Sequence, residues 1–156
     1  MESTFNSVID SPTGCLHAVM NDNCVSKIEW LSNSSDTTIA IPTVLQQQVS
    51  KQLTDYFLSA HNKWTLPLLE CGTAFQQKVW QYLQTIPLGE TRYYSDVAKA
   101  LNSSSQAVGN ACRANPFVII VPCHRVISKA GLGGYDGQTS GRNVEIKQWL
   151  LDHERE

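Results

Sequence analysis

The spacing of apolar residues divides the first part of the chain into short strands and one helix. Residues 15–20 and 24–31 are strand-like runs on either side of an Asn-Asp-Asn turn, and this pattern predicts a hairpin. Apolar residues then recur at helical spacing from 45 to 60, and residues 64–68 predict a short edge strand that contains a proline. Residues 1–69 are therefore predicted to form a small α/β domain.

Polar pairs spaced three residues apart indicate where helices begin. In a capping box, each side chain of such a pair bonds the backbone N–H of the other residue. Three pairs have this pattern: Thr43 with Gln46, Thr73 with Gln76, and Ser103 with Gln106. The helix after the second pair is expected to stop at the Pro-Leu-Gly sequence of 87–89. Residues 70–156 are predicted to form a mostly helical domain.

Two short helices separated by a tight turn are predicted in this second part. They cover 94–101 and 104–113, with Asn102 in the left-handed conformation that ends the first helix. This is the pattern of a helix-turn-helix, whose second helix approaches a DNA groove. The pattern by itself favours a simpler alternative, two helices packed in the core of an ordinary α-domain.

Composition and charge narrow the classes of protein that fit. The 156 residues are 42% hydrophobic, enough for one core or two modest ones, and carry a net charge of −2. That sum argues against nucleic acid as a partner, but residues 1–69 carry −3 and residues 70–156 carry +1, which leaves a local patch open. No apolar run approaches the ~18 residues of a membrane span, and the N-terminus resembles no targeting signal. We therefore expect no membrane partner and a cytoplasmic location, nucleoid-associated if the source is a bacterium.

The cysteines do not form the framework of a disulfide-rich protein. Their number is odd and they are scattered, which suits a reducing compartment. They also show no tight metal-ligand spacing with the histidines, so no metal is predicted. Cys112 lies on the second helix of the predicted pair, where its spacing indicates packing.

One cysteine has neighbours that suit chemistry. Residues 117–121 are a continuous apolar run, predicted to be buried and extended, and Pro122, Cys123 and His124 follow it. An imidazole near a thiol makes the nucleophilic thiolate accessible near neutral pH. Adjacent residues of a strand face opposite sides, so a turn after Pro122 or a bridging water is required. The alternative is a buried structural cysteine, which is commoner for a lone Cys.

A longer set of motifs around this cysteine resembles the O6-alkylguanine-DNA alkyltransferases, also called methylated-DNA–protein-cysteine methyltransferases. The resemblance covers about residues 72–154, and Pro-Cys-His-Arg-Val at 122–126 is its most specific part. Over residues 1–70 only the length and the α/β pattern are compatible. The other matching segments are Phe75–Trp80, Ile86–Thr91, Tyr94, Ala107-Val108-Gly109, Asn115-Pro116, Gly131–Tyr135 and Lys147–Glu154.

The resemblance implies both a fold and an activity. The fold is α+β, with a small N-terminal α/β domain followed by a mostly helical domain that carries a winged-helix-like helix-turn-helix. The activity is irreversible, stoichiometric transfer of the alkyl group from O6-alkylguanine, and from O4-alkylthymine, in double-stranded DNA to a cysteine. The damaged base must leave the stack, because the thiolate cannot reach the alkyl carbon inside the duplex. The resemblance implies no cofactor and a monomer.

Five catalytic residues follow from the resemblance. Cys123 accepts the alkyl group, and His124, acting through a water and oriented by Glu154, takes the thiol proton. Tyr94 donates a hydrogen bond to N3 of guanine, and Asn115 braces the turn around the active site. Without the resemblance, Glu154 would be read as a solvated C-terminal charge.

The resemblance also implies residues that bind the base and the duplex. Backbone carbonyls at Cys123 and Val126 accept hydrogen bonds from the exocyclic amine. Tyr135 with the backbone of Asp136 closes the pocket after a glycine-rich loop, residues 131–134. The residues predicted to contact DNA lie mainly on the second helix of the pair: Gln106, Ala107, Gly109 and Arg113, together with Arg92 before the first helix.

One position departs from the family. Before Ala-Val-Gly the family usually has an arginine that fills the gap left by the flipped base, and this chain has Gln106. A glutamine can bond the orphaned cytosine, but it has a shorter reach and no charge, which predicts weaker base flipping. In the alternative reading, Gln106 folds back on Ser103 as a capping box.

Three other functions compete with repair. A damage sensor would flip alkylguanine without repairing it, although alkyltransferase-like relatives of that kind lack the acceptor cysteine. A helix-turn-helix regulator would use the cysteine as an alkylation sensor, but the chain has no activator domain. A cysteine hydrolase would need an oxyanion hole, and the sequence has no signal for one.

Overall fold

The chain divides into two compact units. The structure, a computed structural model, describes residues 4–31, 41–135 and 139–156. The units are Met1–Glu70 and Cys71–Glu156, so the boundary lies one residue beyond the predicted one. None of the helices in the described residues is long and apolar enough to cross a membrane.

The first unit is built on a three-stranded antiparallel sheet. Its strands, β1 (Phe5–Ser11), β2 (Gly14–Met20) and β3 (Val25–Trp30), lie in sequence order. The β2–β3 pairing confirms the predicted hairpin. β1 was not predicted, because its inward-facing positions include the polar Ser7, which interrupts the alternation of apolar residues. The buried Ser7 hydroxyl accepts a hydrogen bond from Gln46 Nε2 at 3.2 Å, so its burial is compensated.

Helix α1 (Val44–Leu58) covers this sheet and starts where the sequence predicts. Thr43 and Gln46 form the predicted capping box. The predicted strand at 64–68 is wrong, because the structure has one bridge there. Val25 N–H donates to the Pro67 carbonyl, and the Val25 carbonyl accepts from Leu69 N–H, both at 2.7 Å. A proline lacks the N–H that a longer ladder requires.

The second unit is mostly helical. Its helices are α2 (Ala74–Leu83), α3 (Tyr94–Ala100), α4 (Ser105–Arg113) and α5 (Arg142–Glu154). Two short parallel strands, β4 (Arg92–Tyr93) and β5 (Val126–Ile127), pair with each other, and the 3-10 turn Cys123–Arg125 precedes β5. The α+β fold predicted from the sequence is therefore confirmed.

Helix α2 anchors α4. The predicted capping box of Thr73 with Gln76 is present, but α2 ends at Leu83, before the predicted stop at 87–89. Trp80 Nε1–H donates to the Ala111 carbonyl of α4 at 2.9 Å. Gly72 makes room for this indole, since a Cβ at residue 72 would lie 2.6 Å from the Trp80 ring and the backbone φ is +86°. Only glycine fits there without strain.

The turn between α3 and α4 corrects one prediction. Asn102 is left-handed as predicted, with φ 54°, and Ser103 N–H donates to the Ala98 carbonyl at 2.8 Å. This is a Schellman-type ending, which uses Ser103 to close α3. The N-cap of α4 is therefore Ser104, whose hydroxyl accepts from Ala107 N–H at 3.1 Å. The predicted capping box of Ser103 with Gln106 is wrong.

The apolar run at 117–121 is buried, as predicted, but it is not an extended strand. Val121 N–H donates to the Phe117 carbonyl at 3.0 Å, and Ile119 has a φ of 73°. A β-branched residue is uncommon in this left-handed region, so the surrounding packing must hold it there. The run is wound into consecutive turns that lead into Pro122 and Cys123.

Candidate active site

Cys123 lies at the wall of a cavity in the second unit. It begins the 3-10 turn after Pro122, and only 6% of its surface is exposed. The cavity has a volume of about 380 Å³, a size typical of small-molecule pockets. Side chains and backbone from α3, α4 and the glycine-rich loop complete its lining: Tyr94, Gln106, Gly109, Asn110, Cys112, Arg113, Gly134, Tyr135 and Thr139.

Asn115 holds the turns that present the thiol. Its Nδ2 donates to the Val121 carbonyl at 2.8 Å and to Cys123 Sγ at 3.3 Å, and its Oδ1 accepts from Phe117 N–H at 2.9 Å. One amide thus fixes the backbone before the cysteine and aims an N–H at the sulfur. A donor in that position stabilises negative charge that develops on sulfur.

A buried ion-pair network lies behind the thiol. His124 Nε2 is 2.7 Å from Glu154 Oε2, and Arg125 donates to both carboxylate oxygens at 2.8 and 3.1 Å. Arg125 Nη1 also bonds the Ile86 carbonyl at 2.8 Å. Burial by itself would raise the pKa of Glu154, but the hydrogen bonds from His124 and Arg125 outweigh it and hold that pKa well below its usual range. Glu154 is therefore ionised and is not a solvated terminal charge.

His124 is a neutral imidazole with one nitrogen available. Complete burial lowers the pKa of His124 in spite of its bond to Glu154. Because an ionised carboxylate only accepts hydrogen bonds, Nε2 carries the proton and Nδ1 keeps its lone pair. Nδ1 is buried and has no hydrogen-bond partner in the described part of the chain. The arrangement can accept a proton at Nδ1 from a group beside it.

Tyr94 and the glycine-rich loop form another wall. The Tyr94 hydroxyl lies 3.5 Å from the Gly134 carbonyl, and burial raises the pKa of Tyr94, so the phenol stays protonated. Gly133 packs against the ring: a Cβ there would lie 2.9 Å from Tyr94 Cε2, at a φ of +75°. Tyr135 is buried and lines the cavity. Asp136 lies outside the described residues.

Lys147 is a site residue that the sequence reasoning missed. This fully buried side chain of α5 donates from Nζ to the Val126 carbonyl at 2.6 Å and to the Gly134 carbonyl at 3.0 Å. A carbonyl has two lone pairs, so Val126 keeps the capacity to accept a second hydrogen bond. Lys147 is one turn from Leu151 and two from Glu154 along α5, and this helical period could have placed it on the buried face.

Helix α4 presents only part of its predicted surface to the cavity. Gln106, Gly109 and Arg113 line it, spaced three and four residues apart. Gln106 is exposed and does not fold back, and Ala107 is not among the lining residues. Gln106 and Gly109 also border a second cavity of about 450 Å³, together with Tyr93, Tyr94, Ser95, Ser105, Ser128 and Lys129.

Arg92 is not placed at either cavity. Its Nη1 pairs with Glu90 Oε1 at 3.2 Å and donates to the Thr91 carbonyl at 2.9 Å. The guanidinium is only partly exposed, and a phosphate would compete with Glu90 for it.

Cys112 lines the cavity. It follows Gly109 by three residues, so the helical period indicates the shared face. Burial raises the pKa of the Cys112 thiol, and charge on Cys123 raises it further, so this thiol stays protonated. Cys112 is therefore a poor nucleophile beside Cys123. Among the described residues, no group of three or more His, Cys, Asp or Glu side chains could hold a metal ion.

Comparisons with known proteins cover the part of the chain that carries this site. The DNA-binding domain of 6-O-methylguanine DNA methyltransferase matches residues 74–156. A constitutive methylated-DNA–protein-cysteine methyltransferase of Bacillus subtilis is 47% identical over 111 residues, which are 69% of this chain and 65% of that protein. The chain thus spans slightly less than two thirds of this relative.

Solved structures extend the similarity to nearly the whole chain. The O6-methylguanine methyltransferase of Mycobacterium tuberculosis has a TM-score of 0.82 and 34% identity, covering 98% of this chain and 93% of that one. OGT of the same organism in complex with DNA has a TM-score of 0.79 and 36% identity, covering 95% and 91%. The resemblance seen in the sequence is confirmed, and this chain belongs to the methylated-DNA–protein-cysteine methyltransferase family.

Proposed function

We propose that this protein repairs DNA by direct reversal. It moves the alkyl group of O6-alkylguanine in double-stranded DNA irreversibly to Cys123, without a cofactor. The observation that carries the proposal is the position of Cys123: its sulfur is at a cavity wall, 3.3 Å from Asn115 Nδ2, and the next residue is a neutral histidine fixed by Glu154. All these groups belong to one chain, which supports a monomer as the active form.

The reaction is a displacement at the alkyl carbon. The thiol loses its proton toward His124 Nδ1 through a water, and Glu154 stabilises the imidazolium that forms. Sulfur then bonds to the alkyl carbon, the bond from that carbon to O6 breaks, and its electron pair stays on guanine, which takes up a proton. The products are unmodified guanine and a thioether at Cys123. Because a thioether is a far weaker nucleophile than a thiolate and its C–S bond is stable, the group is not released and each chain reacts once.

The cavity walls supply the groups that would recognise guanine. The protonated Tyr94 hydroxyl is a donor suited to N3, where charge develops as the base leaves. The second lone pair of the Val126 carbonyl is suited to the exocyclic amine. Tyr135 would lie against the base, and the backbone of Asp136 is proposed to complete this wall.

Helix α4 is the element proposed to meet the duplex. Its exposed Gln106 and Arg113 and its small Gly109 lie beside the cavity, so a base turned out of the stack would enter next to them. Gln106 is exposed at the cavity edge and is proposed to fill the vacated space. Ala107, whose N–H donates to the N-cap hydroxyl of Ser104, is proposed to contact the DNA backbone. Arg92 is proposed as a weaker phosphate contact because Glu90 already pairs with it.

The uncharged side chain at position 106 leads to a prediction about salt. Gln106→Arg is expected to tighten duplex binding and to steepen the dependence of log Kd on log salt by about 1, because one more phosphate is neutralised. Gln106→Ala, the matched control, removes no charge and leaves the slope unchanged. Binding titrations at several salt concentrations measure both. An unchanged slope for Gln106→Arg would show that residue 106 does not reach the DNA.

The proposed function is tested with a duplex that carries one O6-methylguanine. The DNA is incubated with increasing amounts of protein and digested, and its nucleosides are quantified. We expect one lesion to disappear per chain added, with an equal gain of guanine. A lesion that persists in a tight complex would instead indicate a sensor, and loss of several lesions per chain would indicate a turnover enzyme.

A further inference from the structure

Lys147 is a positively charged group buried against Tyr94 and Gly134, which line the same cavity as Cys123. None of its surface is exposed, and Nζ donates to the carbonyls of Val126 and Gly134. The same Nζ lies 5.7 Å from the centroid of the Tyr94 ring, within range of a cation–π interaction. One ammonium thus connects β5, the glycine-rich loop and the start of α3.

Burying this charge carries a free-energy penalty that the contacts only partly offset. Burial lowers the pKa of Lys147 to about 8, and interactions with Cys123 and Cys112 oppose that shift. Among the described residues no carboxylate pairs with the ammonium, and Glu154 on the same helix is bound by His124 and Arg125. Buried charges normally have a partner.

Among the described residues, the other ionisable groups around the ammonium leave one site for a compensating negative charge. Burial raises the pKa of Tyr94 and the pKa of Cys112, so both stay protonated, and His124 is neutral. Arg125 is neutralised by Glu154. The anion that can form in this group under neutral conditions is the thiolate of Cys123, the species that attacks the alkyl carbon.

We propose that Lys147 is a positioning residue for alkyl transfer, whose ammonium fixes the Val126 and Gly134 carbonyls and Tyr94 around the pocket and favours the thiolate of Cys123. The inference rests on the proposed function. It assigns α5 a second role besides supplying Glu154. It also explains why a lysine occupies a position where an apolar side chain would be buried at lower free-energy penalty.

The charge of Lys147 is tested by the reaction of Cys123 with iodoacetamide, which needs no DNA. Lys147→Met removes the charge and keeps a long side chain, and Lys147→Gln removes the charge and keeps a donor. Lys78→Met, an exposed lysine of α2, is the matched control. The pH dependence of Cys123 alkylation is followed by peptide mapping, which separates Cys123 from the other cysteines.

We expect both Lys147 variants to move this pH profile upward by about one unit, so that alkylation near pH 7 slows by about tenfold. Lys78→Met is expected to keep the wild-type profile. A merely structural lysine would not move the profile of a folded variant, and thermal unfolding identifies the variant that is folded. Wild-type profiles in either folded variant would overturn the inference.

The proposed function can fail separately. If the wild-type protein takes no methyl group from O6-methylguanine DNA, the proposed function is wrong, while the iodoacetamide comparison still reports on Lys147. If transfer from DNA occurs and the profiles do not move, only the role of Lys147 is wrong.

Discussion

Cys123→Ser is expected to abolish alkyl transfer and to leave binding to the lesion intact. A serine hydroxyl in this position does not ionise near neutral pH, and an un-ionised hydroxyl is a far weaker nucleophile than a thiolate. The single-turnover rate should therefore fall by about 10³-fold or more. Binding should persist, because the cavity walls and α4 are unchanged.

Cys112→Ser is the matched control for this substitution. Cys112 lines the same cavity, but the raised pKa of its thiol keeps it protonated. We expect this variant to transfer the alkyl group at close to the wild-type rate. Transfer that survives Cys123→Ser but disappears in Cys112→Ser would mean that the wrong thiol has been assigned as the acceptor.

Glu154→Gln is expected to slow transfer and to destabilise the second unit. The substitution leaves the partly buried Arg125 without its carboxylate and removes the acceptor that keeps the His124 proton on Nε2. We expect a transfer rate about 10²-fold lower and a free energy of unfolding lower by about 3 kcal/mol. Asp152→Asn, an exposed carboxylate-to-amide change on the same helix, should alter neither quantity.

The pH dependence of stability gives an independent check of the same pair. The pKa of Glu154 is lower in the folded protein, so its contribution to stability is complete above the pKa of the unfolded carboxyl and is lost as the pH falls. The lowered pKa of His124 also reduces stability as the pH falls, because the imidazole is protonated in the unfolded chain at a pH where the buried imidazole is still neutral. Unfolding followed from about pH 5 to about pH 2 should show a smaller loss of stability in Glu154→Gln than in the wild-type protein. Equal losses would contradict the ion-pair network.

The elements best predicted from the sequence are those whose signal is local. The capping boxes at Thr43 and Thr73 give correct helix starts, because the bonds that they predict lie within one turn of the chain. The left-handed Asn102 is likewise a local property. Ser103 was misassigned because it could either end α3 or begin α4. In the structure its N–H ends α3, and the neighbouring Ser104 forms the N-cap of α4.

Burial was easier to predict than conformation. The run at 117–121 is apolar enough to require a core position, but hydrophobicity does not distinguish a strand from a series of turns. The turns are held by Asn115, whose side-chain bonds to the Phe117 N–H and the Val121 carbonyl replace a strand ladder. A pattern of apolar residues contains no sign of such bonds.

The site was predictable from the sequence only where a family resemblance supplied it. His124 and Glu154 are thirty residues apart, and no local rule brings them within 2.7 Å. The burial of Lys147 was not predicted from the sequence. A lysine on a helix is normally exposed, and the three walls that surround this one come from separate parts of the chain, so its burial is a product of the tertiary structure.

The measurement that tests most directly whether Cys123 accepts the alkyl group is the intact mass of the protein, followed by peptide mapping, after reaction with a duplex containing one O6-methylguanine. We predict that a methyl group replaces the thiol hydrogen on the peptide that contains Cys123, and that Cys123→Ser shows no gain. An unchanged mass, or a methyl group on a peptide that lacks Cys123, would contradict direct transfer to this thiol.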